Sequence, residues 1–157
     1  ALVGHSERRA MQNESSEIVA EKFVAAQNAG LIPILCVGET LQQRQDNQTV
    51  EVVSGQIAAV VERAGLHSVC RAAIAYEPVW AVGTGETASP EQAQQVHSAI
   101  RAQLGEAGIS TPLLYGGSVK AANAAELFAQ PDINGGLVGG ASLEAVEFLN
   151  IAKLIEA

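Results

Sequence analysis

The sequence is poor in aromatic residues: three Phe, two Tyr and one Trp among 157 residues, or 4%. Its core must therefore be packed from Ala, Val, Ile and Leu, and a 48% hydrophobic content is enough for one domain of this length. Only two cysteines occur, Cys36 and Cys70, far apart and outside any Cys-x-x-Cys pair. No Cys/His spacing suits zinc, which leaves buried, reduced thiols as the reading. Positive charge is also in short supply. Nine Lys and Arg face seventeen Asp and Glu, for a formal charge of −8. Such a chain repels nucleic acid and anionic lipid, and the densest basic spot, Arg8–Arg9, is too small to reverse that. No apolar run approaches the about 18 residues needed to span a membrane. The opening Ala-Leu-Val-Gly-His has neither an initiator Met nor the basic-then-apolar pattern of a signal peptide, so the chain reads as one entered in its middle.

What is present is an alternation of short apolar runs and helical patterns. After Ala1–Val3, Ser15 and Ser16 can cap a helix reaching about Asn28, with Ile18, Val19, Phe23 and Ala26 on one face and Gly30 as its stop. Leu31–Val37 has the β-branched, apolar character of a strand buried on both faces. A polar stretch, Gln42–Gln48, leads to a helix over about Val50–Arg63, then a strand at Ala72–Tyr76 and a long loop from Glu77 through Gly85. Ser89-Pro90-Glu91-Gln92 is a helix start, with Ser at the cap, Pro first and Gln three residues after the cap. A strand at Pro112–Tyr115, a helix at Ala121–Gln130, a strand at Gly136–Val138 and a helix from about Leu143 to Ile155 complete the chain. This β-α order, five times over, demands a parallel sheet with right-handed crossovers. No linker breaks it, so residues 1–157 are one α/β domain: either an open doubly wound sheet or part of a closed barrel. Gly83-Thr84-Gly85 follows a strand, but Ala88 occupies the position where the Gly-x-Gly-x-x-Gly fingerprint of the open sheet needs glycine.

The unusual residues share one kind of position. His5, Glu39, Glu77, Gly116–Ser118 and Gly139–Gly140 each lie just past the C-terminal end of a strand, and in a parallel α/β structure those ends form one face. Glu77 is followed by Pro78, which restricts it to an extended shape and suits it to removing a proton. His5 can donate a hydrogen bond to developing negative charge. Two glycine-rich turns after the last two strands, Gly116-Gly117-Ser118 and Gly139-Gly140, let backbone N–H groups approach an anion such as phosphate. Trp80, between Pro78 and the glycines at 83 and 85, marks a candidate lid. Each has a plainer reading: tight turns, an ordinary surface Glu, a hydrogen-bonded structural His, a rigid loop. His67 and His97 are assigned only such plain roles, one in a loop and one on a helix.

Together, Gly4-His5-Ser6-Glu7-Arg8-Arg9, the run from Ala75-Tyr76-Glu77-Pro78 to Gly85, Tyr115-Gly116-Gly117-Ser118-Val119 and Gly136-Leu137-Val138-Gly139-Gly140-Ala141-Ser142-Leu143 resemble the triosephosphate isomerase family. That family is itself a standard case of pKa tuning at an active site. The resemblance implies a TIM (β/α)8 barrel of which this chain supplies the last five βα units. It also implies isomerisation of dihydroxyacetone phosphate and D-glyceraldehyde 3-phosphate through an enediolate, in glycolysis and gluconeogenesis. Glu77 would be the base and His5 the neutral electrophile. Gly83, Ser118, Gly139 and Gly140 would hold the substrate phosphate, with Glu7 and Trp80 in support and Pro78–Ala88 as the closing loop. The family uses no metal or organic cofactor and is a cytoplasmic homodimer. Two departures stand out: Glu86 replaces a frequent Lys, and the early Asn-x-Lys segment and third βα loop are not in this sequence. The chain alone is therefore expected to be inactive and prone to aggregate. Two other readings are a different phosphate-binding barrel enzyme and a non-catalytic half-barrel module that needs a partner chain.

Overall fold

The computed structural model describes residues 1–82 and 87–155. Leu2–Val3 forms β1, followed by a helix that the sequence reading did not anticipate, α1 (Ser6–Gln12), which Asn13 ends at φ 52°. Ser15 accepts the Ile18 N–H and starts α2 (Ser16–Asn28) as its side-chain chemistry requires, although Ile18 turns out exposed while Val19 and Phe23 are buried. The strand expected over Leu31–Val37 is shorter. The Leu31 N–H still closes on Ala26, Pro33 has no N–H to give, and only Ile34–Val37 forms β2. The polar stretch after it holds a short helix, α3 (Leu41–Gln45), fixed by a reciprocal capping box between Thr40 and Gln43. The long α4 (Thr49–Ala64) buries Val53, Ile57 and Val60, and Gly65 at φ 83° turns the chain into α5 (Leu66–Cys70).

Next come β3 (Ala73–Tyr76) and a 3-10 turn at Val79–Ala81. The capping box of Ser89 and Gln92 then opens α6 (Pro90–Leu104), which is followed by β4 (Leu113–Tyr115), α7 (Ala121–Phe128) and β5 (Gly135–Gly136). A 3-10 turn at Gly140–Leu143 takes up the residues expected to begin the last helix, so α8 spans Ala145–Lys153. Of the two thiols, Cys36 is buried and Cys70 half-buried, and both are free.

The five strands are parallel and pair in chain order, β1-β2-β3-β4-β5. A doubly wound sheet reverses its strand order at a switch point; this one never does, which selects the barrel-type architecture. Leu35, Ile74 and Leu113 on the strands pack with Phe23, Ile57, Ile100 and Leu104 on the helices. The sheet is open at β1 and β5. Apolar residues lie bare near both flanks: Leu2, in β1 itself, is 51% exposed, and Leu143 and Val146, which follow β5 in the chain, are 85% and 73% exposed. Among the described residues no helix is long and apolar enough to cross a membrane.

Candidate active site

Register sets the site. Val37, Tyr76, Tyr115 and Gly136 are level across four strands, so the residues after them emerge at one height on the C-terminal edge. Glu77 is one of these. Its N–H donates to Val37 O at 2.7 Å, and the Gly116 N–H donates to Tyr76 O at 2.7 Å. Gly116 must lack a side chain, because a Cβ there would lie 2.9 Å from Glu77 Cγ. The Glu77 side chain is only 2% exposed; its Oε1 is 2.8 Å from His5 Nε2 and its Oε2 accepts the Ser6 N–H at 2.9 Å. Burial pushes its pKa above the ordinary carboxylate value, against the opposing pull of His5, the Ser6 N–H and Arg9. A carboxylate with increased proton affinity at a strand end is equipped to act as a base.

His5 occupies the N-cap of α1. Its Nδ1 accepts the Glu7 N–H at 3.3 Å, which places the ring proton of the neutral imidazole on Nε2, facing Glu77. Glu7 thus orients His5 through its backbone N–H and also lines the cavity in front. Arg9 steadies the segment: Nε donates to Gly4 O at 2.9 Å and Nη1 to Ser16 Oγ at 3.3 Å, tying the exit of β1 to the start of α2. Arg8 pairs with Glu14 at 2.6 Å, away from the cavity.

A cavity of about 560 Å³ opens before these groups, lined by His5, Glu7 and Glu77 on one side and by Gly116–Ser118 and Gly139–Gly140 on the other. The two glycine turns differ in kind. A Cβ on Gly117 would sit 2.3 Å from the Tyr115 hydroxyl oxygen, so packing alone accounts for that glycine. Cβ atoms on Gly139 and Gly140 would meet nothing within 4 Å, so neighbouring atoms do not explain them and the bare backbone faces open space. Lys120, a cation on the cavity wall, and Ser6, whose N–H holds Glu77, carry no signal in the sequence that marks them for the site. Gly83 lies outside the described residues.

Glu39 does not join the site. It sits at a strand end but is fully buried behind the cavity, where Oε1 accepts from the Tyr76 hydroxyl (3.1 Å), Trp80 Nε1 (3.0 Å) and Arg44 Nη1 (3.2 Å). The Arg44 guanidinium carbon stands 4.8 Å from the Trp80 ring centroid. Trp80 is thereby anchored from below. At the far side of the same loop the Ala88 N–H donates to the Tyr115 hydroxyl at 3.3 Å. His97 is on a helix as expected and is fully buried, its Nδ1 2.8 Å from Ala93 O and its ring edge-on to Tyr76 at 5.7 Å.

The family model for triosephosphate isomerase matches residues 1–155. Similar proteins include triosephosphate isomerases of Stenotrophomonas maltophilia, 60% identical over 99% of this chain, and of Pseudomonas aeruginosa, 61% identical over 97%. Another, from Thiobacillus denitrificans, is 60% identical over 97% of the chain. The chain spans 64%, 62% and 63% of the length of these three relatives. Sequence, sheet topology and family match agree, and the chain belongs to the triosephosphate isomerase family.

Proposed function

We propose that this chain forms the catalytic face of an enzyme that interconverts dihydroxyacetone phosphate and D-glyceraldehyde 3-phosphate. The observation that carries the proposal is the facing pair of Glu77 Oε1 and His5 Nε2 at 2.8 Å, at the mouth of a cavity backed by Gly139 and Gly140. Glu77 takes a proton from C1 of the ketose and becomes a neutral acid. The C–H electron pair forms the C1–C2 double bond, and the carbonyl oxygen becomes an enediolate oxygen that accepts the His5 Nε2–H. Glu77 then returns a proton to C2, after the two oxygens have exchanged one, and the aldose results. A buried carboxylate with increased proton affinity suits both halves of that cycle. The phosphate rests against the backbone at Ser118, Gly139 and Gly140, with Gly83 as a further contact and Lys120 on the wall. Pro78–Ala88 closes over the intermediate and excludes water, with Trp80 on its anchor. No metal or organic cofactor enters this scheme.

The same reading makes the complete protein a cytoplasmic homodimer, with further βα units covering the open β1 and β5 flanks. A non-catalytic module would have no use for a buried carboxylate held between an imidazole N–H and a backbone N–H. The test is Glu77→Asp in the natural gene product that carries this chain. Shortening the side chain withdraws the carboxylate by about 1 Å, which should lower kcat about 100-fold with little change in stability. An unaltered rate would favour the non-catalytic module.

A further inference from the structure

We propose that Gln56, on α4, is a positioning residue for Glu77; this rests on the reading of Glu77 as the base. Gln56 grips a single residue by its backbone: Oε1 accepts the Gly38 N–H at 2.8 Å and Nε2 donates to Gly38 O at 3.1 Å. Gly38 follows β2 at the height where Glu77 follows β3. The two peptides touch so closely that a Cβ on Gly38 would lie 1.7 Å from Glu77 O. The backbone anchor of Glu77 on this side, Val37 O at 2.7 Å, belongs to the residue before Gly38. Behind Glu77 lies a second cavity of about 260 Å³, lined by Gln56, Gly38, Ser6 and Arg9. The base therefore has room to retreat, and the amide fork keeps the surface it rests on in place. A fork of one donor and one acceptor is what a Gln can offer to a peptide and an aliphatic side chain or an ionised carboxylate cannot.

The experiment compares Gln56→Met and Gln56→Glu with the parent in the natural gene product. Gln56→Met keeps the length and removes both hydrogen bonds. Because the phosphate is held elsewhere, kcat should fall at least about tenfold while KM stays within about threefold. Gln56→Glu keeps the shape. Its carboxylate still accepts the Gly38 N–H, but its second oxygen meets the Gly38 carbonyl, acceptor against acceptor, until a proton is added. Its kcat relative to the parent should therefore rise at least about threefold from about pH 8 to about pH 6, with Arg9 and Glu77 the charged groups sharing its cavity. A general packing role would give a ratio that does not change with pH. Parental kcat for Gln56→Met, or a pH-independent ratio for Gln56→Glu, overturns the proposal, and the ratio alone decides if the Met variant does not fold. A parent without isomerase activity would instead sink the isomerase reading, which separates the two failures.

Discussion

Gly38→Ala is the most severe small change the structure allows near the base. The backbone of Gly38 is not in the left-handed region, so the penalty is purely one of space. The new methyl group would start 1.7 Å from Glu77 O, where real Cβ contacts under 3.0 Å are essentially never seen. One peptide or the other must move by more than about 1 Å, which either breaks the Gln56 fork or shifts Glu77 toward the cavity behind it. Gly38 is held by the Gln56 fork, and Glu77 is backed on its far side by Gly116, whose own Cβ would lie 2.9 Å from Glu77 Cγ. Overpacking of this kind costs about 1–3 kcal/mol in stability. Misplacing a reacting group by about 1 Å costs about 100-fold in rate. The expected result in the natural gene product is a kcat about 100-fold lower, with KM changed far less and melting temperature lowered by several degrees, read in a coupled assay that oxidises the aldose product. Gly55→Ala is the control. Gly55 lies exposed within α4, its added Cβ would meet nothing within 4 Å, and removing a helical glycine should stabilise by about 0.5–1 kcal/mol with no effect on rate. A Gly38→Ala enzyme within about tenfold of the parent would refute the steric argument.

Three further outcomes follow from other parts of the molecule. His97 is held neutral because burial lowers its pKa from the ordinary 6.5, so on acidification the unfolded chain takes up a proton before the folded one does. Stability should hold above about pH 6.5 and fall below it, by at most about 1.4 kcal/mol per pH unit; denaturant titrations should show that slope flattened in His97→Phe. Lys120→Ala removes the one Lys or Arg that lines the cavity before Glu77 among the described residues and should raise KM severalfold with kcat preserved, the effect shrinking as salt is added; an unchanged KM would remove Lys120 from phosphate attraction. The 157-residue chain expressed alone, with β1 and β5 unpaired and Leu143 and Val146 bare, should aggregate or unfold without cooperativity and show negligible turnover; a soluble monomer with a sharp transition would contradict this.

The parts of this fold legible in the sequence are those governed by local rules. Ser15 and the Ser89-Pro90-Glu91-Gln92 run placed two helix starts correctly, because capping depends on a few adjacent residues. Glu77, His5 and the glycine turns announced themselves by position after a strand. What was missed depends on approach between distant segments. Glu39 shares the strand-end position of Glu77, yet register and the Tyr76, Trp80 and Arg44 side chains turn it away from the cavity, and no local signal distinguishes the two carboxylates. Gln56 reads as one more polar residue on a helix surface until Gly38, eighteen positions earlier, is seen beneath it. The short α3 is legible by the same local rule: Thr40-Leu41-Gln42-Gln43 carries the capping-box pattern that marks the start of α6.

The central claim is that Glu77 carries a proton between two carbons. Dihydroxyacetone phosphate should be converted in deuterium oxide by the natural gene product, and the aldose examined by NMR for deuterium at C2. One base serving both carbons predicts a mixture at C2, deuterium where the acid has exchanged with solvent and substrate hydrogen where it has not, together with a kcat about 100-fold lower in Glu77→Asp. A kcat that Glu77→Asp leaves unaltered, in product labelled as the parent's is, would contradict the account.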